Sequence, residues 1–218
     1  MINEVYRLIA PKQIRIDFVD EVIMDEVIVR PTYLSICAAD QRYYTGSRGK
    51  EVMSKKLPMA LIHEGVGEVL LDPKNEFAKG TQVVMIPNTS GFDGFMQEFV
   101  LMSRTRIIPF TNIPQRTAVL LELTSVVMNA LGNYKQHSHA RKDIIGIWGN
   151  GNLGFISALA LKIMFPNSKV IVFGVHRQKM LYYPFVDETY LINEIPSNFY
   201  VDHAFECVGG SGSEKAIN

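Results

Sequence analysis

Four side chains that suit a metal ion lie in three separate stretches of the sequence. Cys37 follows an apolar stretch, His63 and Glu64 are adjacent, and Glu122 comes much further along the chain. Thiolate, imidazole and carboxylate groups are suitable zinc ligands, and a catalytic zinc ion keeps one coordination position open for substrate or water. Because these residues are far apart in sequence, only the fold can bring them together.

Each of these residues also has an ordinary structural explanation. A lone cysteine is most often a small core residue. A His–Glu pair such as His63–Glu64 occurs by chance at strand edges, and Glu122 could be an exposed charge on an amphipathic helix. Residue type alone therefore leaves a zinc site as one hypothesis among others.

A glycine-rich run, GNGNLG at residues 149–154, fits the pattern G-x-G-x-x-G. The pattern alone is weak, but a buried strand precedes it, and a helix and a second strand follow it. Gly149 permits a tight turn, Gly151 lets the backbone approach a pyrophosphate, and Gly154 lets the helix pack on the strand. The helix N-terminus at Asn152 and Leu153 then offers free N–H groups to phosphate. The alternatives are a turn without a ligand and the nucleoside-binding loop of a methyltransferase.

The end of the next strand indicates which dinucleotide binds. An NAD enzyme usually has an acidic residue about 20 residues beyond the motif, which holds the ribose 2′-hydroxyl. Here Gly174 occupies that place, and Arg177 and Lys179 follow. The lack of a carboxylate and the nearby cations favour NADP(H). The alternative is that both cations are ordinary solvated charges at the start of a helix.

The elements that must position these residues fall into two kinds. Residues 1 to about 110 are rich in short β-branched segments separated by turn residues, which predicts strands. Residues 115–135 show helical spacing and predict one long connecting helix. Residues 144–148 and 169–173 are apolar runs on either side of a predicted helix, which together form a βαβ unit. With about three strands in view, the nucleotide domain is expected to lack its C-terminal part.

Composition excludes several classes of protein. The chain has 22 basic and 22 acidic residues, so neither a nucleic-acid face nor a membrane-surface patch is expected. Only two cysteines occur, which favours reduced thiols in a cytoplasmic protein over a secreted disulfide scaffold. We see no signal peptide and no apolar run of membrane-spanning length.

Six motifs occur in an order that resembles the zinc-dependent medium-chain dehydrogenases, the superfamily of alcohol and sorbitol dehydrogenases. They are ICAAD (36–40), HEGVG (63–67), GTQVV (80–84), GFMQEF (94–99), ELTSV (122–126) and the glycine-rich run. Within the superfamily the chain is most similar to the ribulose-5-phosphate reductases, also called ribitol-5-phosphate 2-dehydrogenases, which serve CDP-ribitol synthesis for teichoic acid or capsule. The closer likeness is carried by YLSICAADQRYY (33–44), LPMALIHEG (57–65) and HAFECVGG (203–210).

The resemblance implies an α/β protein with a GroES-like β-barrel catalytic domain at residues 1–124 and an incomplete Rossmann NADP-binding domain at 125–218. It implies one catalytic zinc ion held by Cys37, His63 and Glu64, with Glu122 as a fourth ligand or bound through water. It also implies a homodimer or homotetramer and a small sugar or polyol phosphate as substrate. A cytidylyltransferase is a plausible partner.

The chain departs from the superfamily at three points. No cysteine occurs between Met85 and Gly94, so the second, structural zinc ion of many relatives is expected to be absent, and residues 87–91 indicate a shortened loop. Ala39 stands where many relatives have a Ser or Thr that relays a proton. The segment that normally returns to the first domain is also absent.

These points lead to a specific mechanism with open alternatives. Zinc would polarise the C2 carbonyl of a ketopentose phosphate, and NADPH would deliver hydride to that carbon. In place of residue 39, the proton would come from zinc-bound water, Glu64 or Tyr43, and Arg42 would clamp the substrate phosphate. The alternatives are a zinc polyol dehydrogenase that uses NAD on an unphosphorylated sugar alcohol, and a non-catalytic NADPH-binding module.

Overall fold

The computed structural model describes residues 1–87 and 94–209. These residues form two compact units, Met1–Glu122 and Leu123–Asn218, and the boundary lies two residues before the predicted one. The first unit contains antiparallel sheets, and the second contains a parallel sheet with crossover helices. The strand-rich and βαβ regions predicted from the sequence are therefore confirmed.

The first unit contains eight described strands. β1 (Ile2–Ala10) pairs with β2 (Gln13–Asp20) and with the short β4 (Met59–Ala60). A five-stranded sheet has the order β7-β3-β5-β6-β8. Its strands are β3 (Val27–Ser35), β5 (Glu64–Leu71), β6 (Gln82–Met85), β7 (Val100–Met102) and β8 (Ile107–Pro109).

The helices of the first unit follow the strands that lead to the candidate metal ligands. α1 (Ala38–Thr45) begins three residues after β3 ends, and α2 (Lys50–Lys56) leads to β4. A 3-10 turn covers Arg104–Arg106. The core between the sheets is aliphatic and includes Val27, Val29, Val69, Val83 and Met85, all fully buried. Alternating inward apolar residues of this kind fix the strand register.

The helix predicted at residues 115–135 is in fact two helices. α3 (Gln115–Ala118) is one turn long, and α4 (Leu121–His137) follows after a short interruption. At the interruption Leu120 donates its N–H to the Thr117 carbonyl at 3.1 Å. Ala118 and Val119 are buried in a cluster with Val66 and Val84, so core packing prevails over continuous helical hydrogen bonding.

The second unit has a four-stranded parallel sheet with the order β11-β10-β9-β12. Helix α5 connects the two central strands, and the last strand lies on the other side of β9. The elements are β9 (Ile144–Trp148), α5 (Asn152–Met164), β10 (Lys169–Gly174), α6 (Arg177–Met180), β11 (Glu188–Leu191), a 3-10 turn at Ile192–Glu194 and β12 (His203–Glu206).

Burial in the second unit matches the layered arrangement. Ile145, Ile147, Val170 and Val172 are inaccessible to solvent, as expected for parallel strands covered on both faces. None of the helices in residues 1–87 and 94–209 combines the length and the hydropathy that a bilayer crossing requires.

Candidate functional site

The first candidate site is a cluster of Cys37, Asp40 and His63 in the first unit. One ligand atom from each residue lies within 4.8 Å of the others. The structure thus brings Cys37 and His63 together as predicted and adds Asp40, which the sequence reasoning did not single out. In the described parts of the chain this is the only group of three or more His, Cys, Asp and Glu side chains with this spacing.

Cys37 is placed by the start of α1. It is the N-cap residue, and its Sγ accepts a hydrogen bond from the Ala39 N–H at 3.2 Å. Asp40 completes a capping box by accepting the Cys37 N–H at 3.0 Å. These two hydrogen bonds fix the Cys37 side chain at the start of the helix.

His63 lies between Cys37 and Asp40. Its Nε2 is 3.6 Å from the Cys37 Sγ, and its Nδ1 is 3.4 Å from Asp40 Oδ1. In metalloproteins a ligating histidine commonly donates its other ring N–H to a carboxylate, which fixes the orientation of the ring. Two ligands of a tetrahedral zinc ion, one sulfur and one nitrogen, lie roughly 3.5 Å apart. The Cys37–His63 pair therefore fits a shared zinc ion.

Asp40 is the structural centre of this cluster. Only 3% of the residue is exposed, and its Oδ1 also accepts the Ile62 N–H at 3.0 Å. Burial opposes ionisation of the carboxyl, but hydrogen bonds from His63 and Cys37 outweigh it and lower its pKa. Because its oxygens already accept these hydrogen bonds, Asp40 suits the role of orienting His63 better than the role of ligand.

The electrostatics of the cluster favour positive charge. Asp40 and then Cys37 raise the pKa of His63 to about 10, because both stabilise a charged imidazole. Negative potential of this kind also favours a divalent cation. The donor set and its charge are thus suited to zinc.

The two further carboxylates predicted as ligands, Glu64 and Glu122, lie outside this group of three, but the charge of His63 acts on the pKa of both. Glu64 is 2% exposed, and its Oε2 has no hydrogen-bond partner within the described residues. Burial is the main factor that raises its pKa, and a hydrogen bond from the Ser35 side chain and then the His63 charge partly offset this effect. Burial and then the charge of Glu64 raise the pKa of Glu122, which is half-buried near the start of α4. A cation beside these two carboxylates would lower both pKa values.

The backbone before His63 is strained and tightly held. Ile62 has φ of 69°, a left-handed conformation that β-branched residues rarely adopt. The Phe95 N–H donates to the Ile62 carbonyl, and the Met96 N–H donates to the Leu61 carbonyl. A Cβ atom on Gly94 would lie 2.2 Å from the Leu61 oxygen, so only glycine fits there. The GFMQEF motif therefore acts by fixing the segment between β4 and β5 that carries His63.

Arg42 and Tyr43, the proposed phosphate clamp and proton donor, both lie on α1. Within the described residues no carboxylate approaches the Arg42 guanidinium within 4.0 Å, and its Nε is buried without a hydrogen-bond partner. The Tyr43 ring packs against an apolar cluster that includes Leu8, and the Arg48 guanidinium lies 5.1 Å above it.

The second candidate site is the glycine-rich loop in the second unit. Gly149 has φ of 126°, which favours glycine, and a Cβ on Gly154 would lie 1.9 Å from the Gly149 oxygen. Gly151 is the N-cap of α5, and a Cβ there would meet nothing within 4 Å. Gly149 and Gly154 are thus required by the fold, whereas Gly151 leaves open space beside the helix N-terminus, where a phosphate can approach.

A cavity of about 270 Å³ lies beside this loop. Tyr183 forms part of its wall, and its hydroxyl donates to the Gly151 carbonyl at 3.2 Å. Burial raises the pKa of this tyrosine to about 12, so it stays protonated and fixes the loop. The cavity is lined by Asn150, Gly151, Asn152, Phe155, Lys179, Tyr182 and Tyr183.

The residues expected to bind a 2′-phosphate lie at the end of β10 and in α6. Gly174 ends β10, and Lys179 lines the cavity. Arg177 forms a largely exposed ion pair with Glu194. Exposed ion pairs contribute little stability, so a phosphate can compete for this arginine. The prediction of a missing structural zinc lobe concerns residues 85–94, of which residues 88–93 lie outside the described part of the chain.

Comparisons with known proteins identify the family to which the chain belongs. The family model described as the alcohol dehydrogenase GroES-like domain matches residues 24–114. Ribulose-5-phosphate reductase of Bacillus spizizenii is 48% identical over all of this chain and 70% of its own length. Ribulose-5-phosphate reductase 1 of Staphylococcus aureus shows the same identity and coverage.

One solved structure extends the comparison to the three-dimensional fold. The crystal structure of Staphylococcus aureus TarJ in complex with NADPH superimposes with a TM-score of 0.88 at 51% identity. The match covers all of this chain and 68% of the TarJ chain. The expected architecture, a GroES-like unit followed by a Rossmann-type unit, is thereby confirmed.

Proposed function

Because the chain belongs to the ribulose-5-phosphate reductase family of medium-chain alcohol dehydrogenases, we propose that it reduces D-ribulose 5-phosphate to D-ribitol 5-phosphate with NADPH. The reaction is reversible, and its product is the precursor of CDP-ribitol for teichoic acid or capsule. The observation that carries the proposal is the pair formed by Cys37 Sγ and His63 Nε2, 3.6 Å apart, in a chain so similar to named reductases.

The first unit supplies the metal-binding side chains. Cys37 and His63 would hold one zinc ion, with Glu64 and Glu122 as further oxygen ligands, and Asp40 would keep the His63 ring in orientation. A bound zinc ion supplies Lewis-acid polarisation of the substrate carbonyl. A buried carboxylate oxygen without a hydrogen-bond partner is costly, which is the physical reason to expect a cation beside Glu64 Oε2.

The second unit supplies the cofactor-binding backbone and charges. Gly149, Gly151 and Gly154 shape the loop at the N-terminus of α5, where the N–H groups of Asn152 and Leu153 would bind the pyrophosphate. Beyond Gly174, at the end of β10, the side chains of Arg177 and Lys179 would bind the 2′-phosphate of NADPH. The absence of an acidic side chain at position 174 removes the group that would repel this phosphate.

Two residues of α1 are proposed to act on the substrate. Arg42 would bind the phosphate of the ketopentose, which its guanidinium can engage through two parallel hydrogen bonds. Ala39 has no hydroxyl, so the proton for the product alcohol would come from Tyr43, from Glu64 or from water. The contacts of Tyr43 with the apolar cluster support the positioning of its ring rather than its acidity.

The test monitors NADPH oxidation through the loss of NADPH absorbance. The substrates compared are ribulose 5-phosphate, ribulose and the carbonyl form of a simple alcohol. We expect turnover with the phosphorylated ketopentose, little with ribulose, and loss of activity after chelation that zinc restores. Turnover of the unphosphorylated sugar with NADH would instead support a polyol dehydrogenase. NADPH binding without turnover or zinc would support a binding module.

Assembly is a separate part of the proposal. We infer a homodimer or homotetramer, and a cytidylyltransferase that takes up the ribitol 5-phosphate, from the resemblance to the reductase family. Light scattering of the purified protein tests the first point. Copurification with the cytidylyltransferase of the same organism, with an unrelated cytidylyltransferase as the control, tests the second point.

A further inference from the structure

Asn150 lies between the first two glycines of the loop, and its side chain is buried. Only 6% of the residue is accessible to solvent. Its Nδ2 donates to the His176 carbonyl at 2.8 Å and lies 3.6 Å from the Met180 Sδ. The side chain thus leaves its own loop and reaches the segment that follows β10.

The Asn150 side chain occupies the space in front of Gly174. A Cβ atom on Gly174 would lie 2.3 Å from the Asn150 Cγ and 2.6 Å from both Nδ2 and Oδ1. Real Cβ atoms essentially never approach other atoms this closely. Any side chain at position 174 must therefore displace Asn150, and this includes the acidic residue that an NAD enzyme carries at the end of this strand.

The same side chain supports a segment with little support of its own. α6 spans only Arg177–Met180, and its N-cap residue His176 makes no side-chain capping bond. The ion pair of Arg177 with Glu194 is largely exposed, so it adds little to the stability of α6. The Asn150 amide therefore ties the glycine-rich loop to the first turn of α6, whose His176 carbonyl also accepts the Lys179 N–H at 3.1 Å.

We propose that Asn150 is a positioning and specificity-determining residue for the cofactor. It excludes an acidic side chain at position 174, and it fixes the backbone that presents Arg177 and Lys179 to the 2′-phosphate. This inference rests on the proposed NADPH-linked function. It states in addition that NADP preference depends on a residue of the pyrophosphate loop that need not touch the 2′-phosphate.

The experiment compares wild type with Asn150→Ala, Gly174→Asp and the double variant, using titration of NADPH and NADH by nicotinamide fluorescence. In Asn150→Ala we expect the Kd for NADPH to rise about tenfold, because the hydrogen bond that holds the start of α6 to the loop is lost. The Kd for NADH should rise much less, because NADH carries no 2′-phosphate. A purely structural role would weaken both cofactors equally.

Substitutions at position 174 test whether Asn150 excludes an acidic side chain there. Gly174→Asp alone should bind both cofactors poorly, because the new side chain collides with Asn150 and repels the 2′-phosphate. The double variant should bind NADH about tenfold more tightly than Gly174→Asp and should still bind NADPH poorly. Should Asn150→Ala not fold, Asn150→Ser serves in the same comparison, because its smaller side chain frees the space before position 174.

Asn3 offers a matched control in the first unit. It is also a buried asparagine, 1% exposed, and its Nδ2 donates to the Phe99 carbonyl at 3.0 Å. Asn3→Ala should lower the melting temperature without changing the ratio of the two cofactor affinities. Equal losses for both cofactors in Asn150→Ala, or tight NADH binding by Gly174→Asp alone, would overturn the inference. Wild type that binds neither cofactor would instead overturn the proposed function, and the inference with it.

Discussion

The metal-binding cluster and the glycine-rich loop are assembled in opposite ways. Cys37 and Asp40 are far from His63 along the chain, and β3, α1 and the segment between β4 and β5 must all form before the three residues meet. The loop at residues 149–154 is contiguous, and one strand–turn–helix unit shapes most of it. A contiguous site shows its chemistry in its sequence pattern, whereas a dispersed site shows it only in the fold.

The largest effect is expected from Cys37→Ala. Loss of this ligand should remove zinc and lower kcat/KM by more than about a hundredfold. Losing a residue that only hydrogen-bonds a metal ligand typically costs about 10–100-fold. NADPH affinity should stay within a factor of about two if the sites are built independently. Metal analysis, kinetics and cofactor titration measure the three quantities.

Cys207→Ala provides the matched control, because the chain has only these two cysteines. Burial raises the pKa of Cys207 to about 11, and its Sγ lies 3.9 Å from the Ser157 hydroxyl, as in a structural thiol. This variant should keep its zinc and its activity. Zinc retained in Cys37→Ala, or lost in Cys207→Ala, would contradict the assignment of the ligand.

The next effect is expected from Asp40→Asn. The variant keeps the shape of the side chain but removes the charge that faces His63, so zinc affinity should fall about 10–100-fold. Competition with a chelator of known affinity measures this change. Asp72→Asn is the control, because Asp72 is equally buried and accepts the N–H groups of Lys74, Glu76 and Phe77. The Asp72→Asn variant should be less stable than wild type and should bind zinc as tightly. Equal zinc affinity in the Asp40→Asn and Asp72→Asn variants would rule out the role of Asp40.

Two glycines of the loop should separate fold from ligand binding. Gly154→Ala places a methyl group against the Gly149 oxygen and should cost about 3 kcal/mol of folding free energy, seen as a lower melting temperature. Gly151→Ala meets no protein atom, so the melting temperature should hold while the Kd for NADPH rises about tenfold. Unchanged NADPH binding in Gly151→Ala would show that phosphate does not approach this glycine.

The smallest effect concerns Asp187, which belongs to neither site. It accepts the Val170 N–H at 2.7 Å and a hydrogen bond from Lys162 at 2.9 Å. Burial opposes its ionisation, but these bonds outweigh burial and lower its pKa. A lowered pKa stabilises the fold above the unfolded-state value near 3.8, and this contribution is lost as the pH falls through the folded-state value.

Asp187→Asn should therefore be less stable than wild type by about 1 kcal/mol at pH 7, and the difference should shrink below about pH 4. Thermal unfolding of both proteins at pH 7 and pH 3.5 measures the change. A difference that grows on acidification would contradict the sign of the pKa shift.

Much of the second unit could be predicted from the sequence. The strand Ile144–Trp148 is observed with the predicted bounds, because a continuous apolar run flanked by polar residues fits a strand buried on both faces. β11 (Glu188–Leu191) was missed. It is an edge strand with half-exposed, mixed residues, and such a segment carries no periodic signal.

The first unit shows where prediction from sequence stops. Cys37 and His63 could be named as ligands only through the family resemblance, because no spacing rule links residues so far apart. Asp40 was missed although it carries a local signal, since a Cys at the N-cap with an Asp three residues later matches a capping box. The positive φ of Ile62 comes from tertiary hydrogen bonds to residues 95 and 96, which no local pattern encodes.

The N-cap position of Cys37 has a practical consequence for studying this protein. The half-buried sulfur of Cys37, at the start of α1, is open to alkylating reagents unless a metal ion covers it. Cys207 reacts slowly, because its raised pKa keeps the thiol protonated. The mass gained on brief iodoacetamide treatment therefore counts the molecules whose metal site is vacant. Preparations of this enzyme can be graded in this way before any substrate is added.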